Sequence, residues 1–267
     1  MSVEQNGWPP LLRHKAFDQL SAFRPENLLR EARRQQSIPE GQVPAVCILD
    51  PDGDIVGHLV AAQQAHRNPH WACYHTQLYD FKYEGIRFGI VGCAVGASFA
   101  VLVAEQLFVS GCRLLISMTS AGQIMPQGNP PYFVLIKKAL RDEGTSYHYL
   151  PPSDYCFLNT ALSHRLTGVF SSLAVPVHGG ATWTTDAPYR ETDLAIDQAR
   201  AMGVLAVEME AAALYAFAEA RGKAVVCFAH VTNQMAKKKG DFEKGEADGS
   251  RDALQVIAAA AKACDPS

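Results

Sequence analysis

Residues 86–118 restrict the fold of this chain more than any other stretch. "IRFGIVG" (86–92) is a short apolar run, "CAVGAS" (93–98) a joint of small residues, "FAVLVAEQLFVSG" (99–111) a helix-compatible run closed by glycine, and "CRLLISM" (112–118) a second apolar run. A strand, a helix and a strand joined by short glycine-containing turns make a βαβ unit, which implies two parallel strands and a right-handed crossover. Further strand candidates are "VPAVCILD" (43–50), "YFVLI" (132–136), "LAVPVHGGATW" (173–183), "GVLAV" (203–207) and "KAVVCFAHV" (223–231). Helices are expected at "RPENLLREARRQ" (24–35), with Leu28, Leu29 and Ala32 on one side, from Ala211 to a stop at Gly222, and at 250–263. Leu214, Phe217 and Ala218 give the helix that starts at Ala211 one buried stripe. No repeat or domain-separating linker interrupts the series. The expectation is a single α/β domain over 1–267, three layers α/β/α around a central mixed, largely parallel sheet, with 1–40 as an N-terminal helical extension.

At 267 residues with 48% hydrophobic and 19% charged content, the chain has the composition of a globular domain with a sizeable core. A formal charge of −3 offers no global attraction for nucleic acid or an anionic membrane surface. The conspicuous charge run, "AKKKGDFEKGEADGSRD" (236–252), turns acidic within a few residues and reads as a solvated loop. The N-terminus lacks a basic start followed by an apolar run, and no stretch approaches the ~18 apolar residues of a membrane helix. Seven cysteines without a CxxC pair fit reduced thiols, and together these features point to the cytoplasm.

In open α/β sheets, ligands bind beyond the carboxyl ends of the strands. Here "PDGD" (51–54), "CAVGAS", "TSAG" (119–122), "EME" (208–210) and "TNQ" (232–234) each follow a strand candidate, so they are expected to converge on one cleft. Gly92 and Gly96 are spaced GxxxG, which lacks the GxGxxG order of a dinucleotide site. A small-molecule cleft lined by amides, hydroxyls and a carboxylate is favoured, with no cofactor and no metal. Glu208 and Glu210 are two apart and cannot share a helix face. A strand running into a helix would aim one of them into a cleft, although acidic residues in a first turn also simply suit the helix dipole.

The segments 88–124, "ATWTTDAPYRET" (181–192) and "AVEMEAAALYAFAEARG" (206–222), in that order, resemble the nucleoside phosphorylase and nucleosidase superfamily, which includes uridine phosphorylase, purine nucleoside phosphorylase and methylthioadenosine nucleosidase. The resemblance runs from residue 43 to the C-terminus. It implies a phosphorylase/hydrolase-like fold, cleavage of the N-glycosidic bond of a purine or pyrimidine nucleoside, inorganic phosphate as a possible co-substrate, and a homo-oligomer whose sites borrow residues from a neighbour. Within it, "VEMEAAA" is the ribose-binding signature: Met209 packs on the sugar and Glu210 accepts hydrogen bonds from its vicinal hydroxyls, leaving Glu208 to cap the helix or contact a nearby backbone. Breaking the bond builds positive charge on the ribose, which a neighbouring carboxylate stabilises.

Asn233 falls where purine-cleaving relatives carry a residue that assists the leaving base. Asn donates and accepts hydrogen bonds but cannot protonate a ring nitrogen, and it is also a common strand-end turn residue. Tyr189 and Arg190 lie in the segment that resembles base recognition. Cys93, Ser120, Ala121 and Gly122 are placed along the substrate, and Gly53, Cys93 and Ser120 at the anion position. Departures accompany the matches. In "GDIVG" (53–57) Ile55 replaces the proline of the phosphate-binding turn, Gly57 stands where its arginine would be, and Ser117 falls at a second arginine position. Amides of the turns 93–97 and 119–122 would have to hold phosphate without a guanidinium. A water-using nucleosidase would instead need an acidic base near the first strand, a place open to Asp50, Asp52 or Asp54. A catalytically weak nucleoside-binding protein is the third reading. His66, His70, Cys73 and His75 are ligand types without a recognised metal spacing, and His230 reads as a core or cleft-wall residue.

Overall fold

The computed structural model describes residues 9–235 and 240–264. Residues 1–8 of the expected extension and Ala236–Lys239 of the charge run lie outside the described residues. In chain order the elements are α1 (Pro25–Gln36), β1 (Val46–Asp50), α2 (Asp54–Ala61), β2 (Ala65–Arg67), β3 (Tyr79–Tyr83), β4 (Ile86–Gly92), α3 (Ala97–Val109), β5 (Leu114–Gln123) and β6 (Tyr132–Asp142). They continue with β7 (Tyr155–Phe157), α4 (Thr160–Arg165), β8 (Val177–Thr185), α5 (Asp193–Ala201), β9 (Val204–Glu208), α6 (Ala211–Arg221), β10 (Ala224–Asn233) and α7 (Ser250–Cys264).

The βαβ unit sits as expected. β1 lies between β4 and β5 and runs parallel to both, while β3 and β2 extend that flank antiparallel. β5 is long enough to serve three neighbours. Its first residues pair with β1 as far as Ser117, its whole length up to Gly122 pairs with β10, and Gly122 and Gln123 pair with β9. β10 also pairs with β6, β6 with β8, and β8 with β9, so these strands and β5 close into a five-strand ring. The mixed sheet matches expectation; its closure does not follow from any local pattern.

Helices pack around the sheet in two groups, α2 with α7 and α1 with α3 and α6. Every residue of α6 from Ala211 to Ala218 is buried, so the expected single stripe is replaced by burial on all sides, the mark of a core helix. Gly222, in the left-handed region at φ 61°, ends it as the sequence suggests. In the N-terminal segment, Leu29 and Ala32 of α1 pack on Ala72. No helix among the described residues is long and apolar enough to cross a membrane.

Two sequence readings change. "TSAG" is strand rather than loop, because β10 and then β9 keep supplying backbone partners after β1 has ended. The described part of the charge run is not simply solvated. The amide of Glu243 donates to the carbonyl of Thr232, Lys244 pairs with Asp54, and Gly249 is buried.

Candidate active site

β9 delivers Glu208, and the chain turns through Met209 and Glu210 into α6. Glu208 is buried and fully engaged. Its Oε2 accepts the amides of Glu210 and Ala211, both at 2.7 Å, and its Oε1 accepts the hydroxyls of Thr182 at 3.0 Å and Thr184 at 2.5 Å. Burial raises its pKa, and these bonds pull the other way. Glu208 thus ties β8 to the first turn of α6. That leaves Glu210, 1% exposed, as the carboxyl with spare capacity. Its Oε1 accepts the amide of Gly96 at 2.7 Å, while Oε2 has no hydrogen-bond partner among the described residues. Burial, reinforced by the charge of Glu208, pushes its pKa up to about 8. The Gly96 amide and Thr119 hydroxyl oppose that rise. At neutral pH the group therefore holds its proton until a donor reaches Oε2.

The turn after β1 is closed by its own groups. The carbonyl of Asp50 accepts the amides of Gly53 and Cys93, both at 3.0 Å. Its carboxylate Oδ2 accepts the amide of Val56 at 2.9 Å, and burial raises its pKa to about 7, with the charges of Asp52 and Asp54 adding to the rise. Asp52 reaches across to β5, where its Oδ2 accepts the amide of Ser120 at 2.7 Å. The amides of Gly53, Cys93 and Ser120, the residues expected at the anion position, are each bonded inside the protein. A Cβ on Gly53, at φ 81°, would come within 2.7 Å of Cys93 Sγ, so glycine is needed where these two loops meet. Cys93 is itself exposed and left-handed at φ 62°.

Between the turn and β5 lies a cavity of about 10 Å³, room for about one water, lined in part by Asp50, Asp52, Asp54, Ser120 and His230. His230 stacks on Phe133 at 4.5 Å between ring centroids, and burial holds its pKa down at about 4. It is a neutral cleft wall at physiological pH.

A model of the phosphorylase superfamily matches residues 46–264. The chain belongs to that superfamily. It is 28% identical over 195 residues to a uridine phosphorylase of Thermococcus kodakarensis, covering 66% of this chain and 69% of the relative. It is 27% identical over 148 residues to a DeoD-type purine nucleoside phosphorylase of Limosilactobacillus reuteri, covering 52% of this chain but only 60% of the relative's length. In fold it is similar to the solved uridine phosphorylase of Vibrio fischeri, with a TM-score of 0.68 at 20% identity over 86% of this chain and 97% of that one. It is also similar to the 5′-methylthioadenosine/S-adenosyl homocysteine nucleosidase of Campylobacter jejuni, with a TM-score of 0.65 at 16% identity over 83% and 99%.

In this phosphorylase-superfamily chain the five expected strand ends do meet. Asp50 joins the β1 and β4 loops, Asp52 joins β1 to β5, Gly96 and Glu210 join the β4 and β9 loops, and Asn233 lies opposite Gly122. Asn233 is engaged within its own turn: Oδ1 accepts the amide of Met235 at 2.9 Å and Nδ2 donates to the Thr232 hydroxyl at 3.2 Å. Met209 is half-buried and Ala121 buried, and a Cβ on Gly122 would meet Met235 Sδ at 2.6 Å. Tyr189 is 100% exposed on the short turn Pro188–Arg190, with Arg190 exposed beside it, so neither belongs to the buried cluster.

His66, His70, Cys73 and His75 are spread over β2 and the following connector, with Cys73 buried and His66 and His75 exposed. Among the described residues no group of three or more His, Cys, Asp or Glu is arranged to hold a metal. Sequence reasoning missed Lys244, Asp248 and Gly249, which return to the site from the charge run. The available signal was the glycine pair Gly245 and Gly249, both at positive φ, which bends the segment back onto His230.

Proposed function

We propose that this chain cleaves the N-glycosidic bond of a purine or pyrimidine nucleoside, releasing the base and a ribose or ribose phosphate. The observation that supports this reading most directly is Glu210: a buried carboxyl with one oxygen fixed by the Gly96 amide and the other unpartnered. Vicinal ribose hydroxyls donating to Oε2 favour the ionised form. As the C1′–N bond stretches, that charge stands beside the developing oxocarbenium ion in a site of low dielectric, where it is worth most. Met209 packs on the sugar, and Asn233, once freed from its turn, hydrogen-bonds the departing base without protonating it. The reaction needs no cofactor.

The relatives named as uridine and purine nucleoside phosphorylases make phosphate the first acceptor to consider. A second reading, water as acceptor, is favoured by the hold of Asp52 on the Ser120 amide. The test is incubation with a panel of purine and pyrimidine nucleosides, with and without phosphate, followed by chromatography of the free base. Release of base from at least one nucleoside is expected. No release in either condition refutes the proposal.

A further inference from the structure

We infer that Asp52 selects the acceptor: its carboxylate stands in for an acceptor oxyanion on the Ser120 amide, so the cleft rejects phosphate and leaves water to take the ribosyl group. This rests on the nucleoside-cleaving reading above.

Four observations carry it. The Ser120 amide is bonded to Asp52 Oδ2 at 2.7 Å, so a phosphate oxygen gains that donor only after the carboxylate has left. The amides of Gly53 and Cys93 are closed on the Asp50 carbonyl, so they do not compensate. The cavity beside them, about 10 Å³, has room for about one water between its walls. Its walls also carry the sign of charge that repels phosphate: Asp52 and Asp248 line it, Lys244 and Asp54 cancel each other as an ion pair, and His230 is held neutral by burial. A charged carboxylate bonded to an amide at this distance is among the stronger hydrogen bonds, and an incoming dianion cannot share it.

The step balances without a further reactant. The C1′–N bond breaks and its electron pair leaves with the base. A water lone pair forms the C1′–O bond, and the proton that this water loses is matched by the proton that the base gains. Nucleoside and water become ribose and neutral base.

Asp52 is exposed outside its one hydrogen bond, so Asp52→Asn and Asp52→Gly should both fold, which thermal melting checks. Two measurements then decide. Calorimetric titration with inorganic phosphate should show binding at least about tenfold tighter in Asp52→Gly than in the parent, the effect of one charge-assisted bond regained, with a smaller gain in Asp52→Asn, whose amide oxygen still accepts the Ser120 N–H but without charge. Product analysis of the parent enzyme should show ribose, at a rate unchanged by phosphate, with oxygen from labelled water at C1′. Phosphate binding to the parent as tight as to the variants overturns the inference. So does parent turnover that requires phosphate and yields ribose phosphate, although nucleoside cleavage then stands. Absence of base release from any nucleoside defeats the functional reading instead, and the phosphate titration still judges Asp52 by itself.

Discussion

Replacing Glu210 by Gln should stabilise the protein and disable it at the same time. The carboxyl titrates near 8 in the folded chain against 4.5 for an unperturbed glutamate, chiefly because it is buried. Between those values the folded chain holds a proton that the unfolded chain has lost, so stability falls as pH rises through this window and levels off above it. Glutamine cannot ionise and escapes that fall. At about 1.4 kcal/mol per pKa unit, Glu210→Gln should gain about 1 kcal/mol over the parent at pH 5, about 3 at pH 7 and close to about 5 above pH 8.5. The amide NH2 brings two N–H donors where the protonated acid has one O–H, and the extra unpartnered donor costs about 1–3 kcal/mol at every pH, which lowers all three figures alike and leaves their rise with pH intact. Oε1 of either side chain still accepts the Gly96 amide. Turnover should drop by about 2–4 kcal/mol of transition-state stabilisation, because no charge is left to face the ribose. Urea unfolding at three pH values and initial rates on the best nucleoside measure both quantities. A stability difference that is flat with pH, or a variant less stable than the parent at pH 8.5, refutes the buried-carboxyl argument. Undiminished turnover refutes the placement of Glu210 at the sugar.

Three further outcomes are expected. Nucleoside binding at pH 7 should release about one proton as Glu210 ionises, seen as a binding enthalpy that varies with the ionisation enthalpy of the buffer; a buffer-independent enthalpy separates Glu210 from the sugar. Glu208→Gln should be mild, since its amide oxygen can accept the two backbone N–H groups while the Thr182 and Thr184 hydroxyls turn to accept from its nitrogen. Glu208→Ala orphans those N–H groups and should cost about 2–5 kcal/mol in urea unfolding. Gly249→Ala should destabilise by about 2–4 kcal/mol and disturb the His230 resonance in NMR spectra, because its Cβ would meet His230 Cε1 at 2.2 Å and the Lys244 carbonyl at 2.5 Å on a backbone at φ 76°.

The sheet and the convergence of its strand ends were legible because both follow from local patterns: apolar runs of strand length, and turn residues directly after them. Glu208 and Glu210 were separable in principle, since a spacing of two at a strand-to-helix junction sends neighbouring side chains in different directions. Asp52 was visible as a turn residue, but its partner lies 68 positions away and no spacing rule connects it to Ser120. Lys244 was hidden for the same reason, its ion pair with Asp54 joining opposite ends of the chain. "TSAG" misled because its small residues match turn composition, whereas its conformation is set by two strands that arrive from later in the sequence. Tyr189 was assigned from segment resemblance alone, and its full exposure reflects a turn that the pattern of residues does not orient.

The five-strand ring has a consequence for biosynthesis. β10 is the last strand among the described residues, and it is the one that joins β5 to β6. Until residue 233 has left the ribosome, both of those long apolar strands present a row of unpaired backbone groups. In the finished molecule the end strand β2 and the appended β7 are only three residues long, too short to recruit another chain. Chains truncated before Ala224 should therefore coalesce into aggregates even though most of the core sequence is already present, while full-length protein at the same concentration stays dispersed.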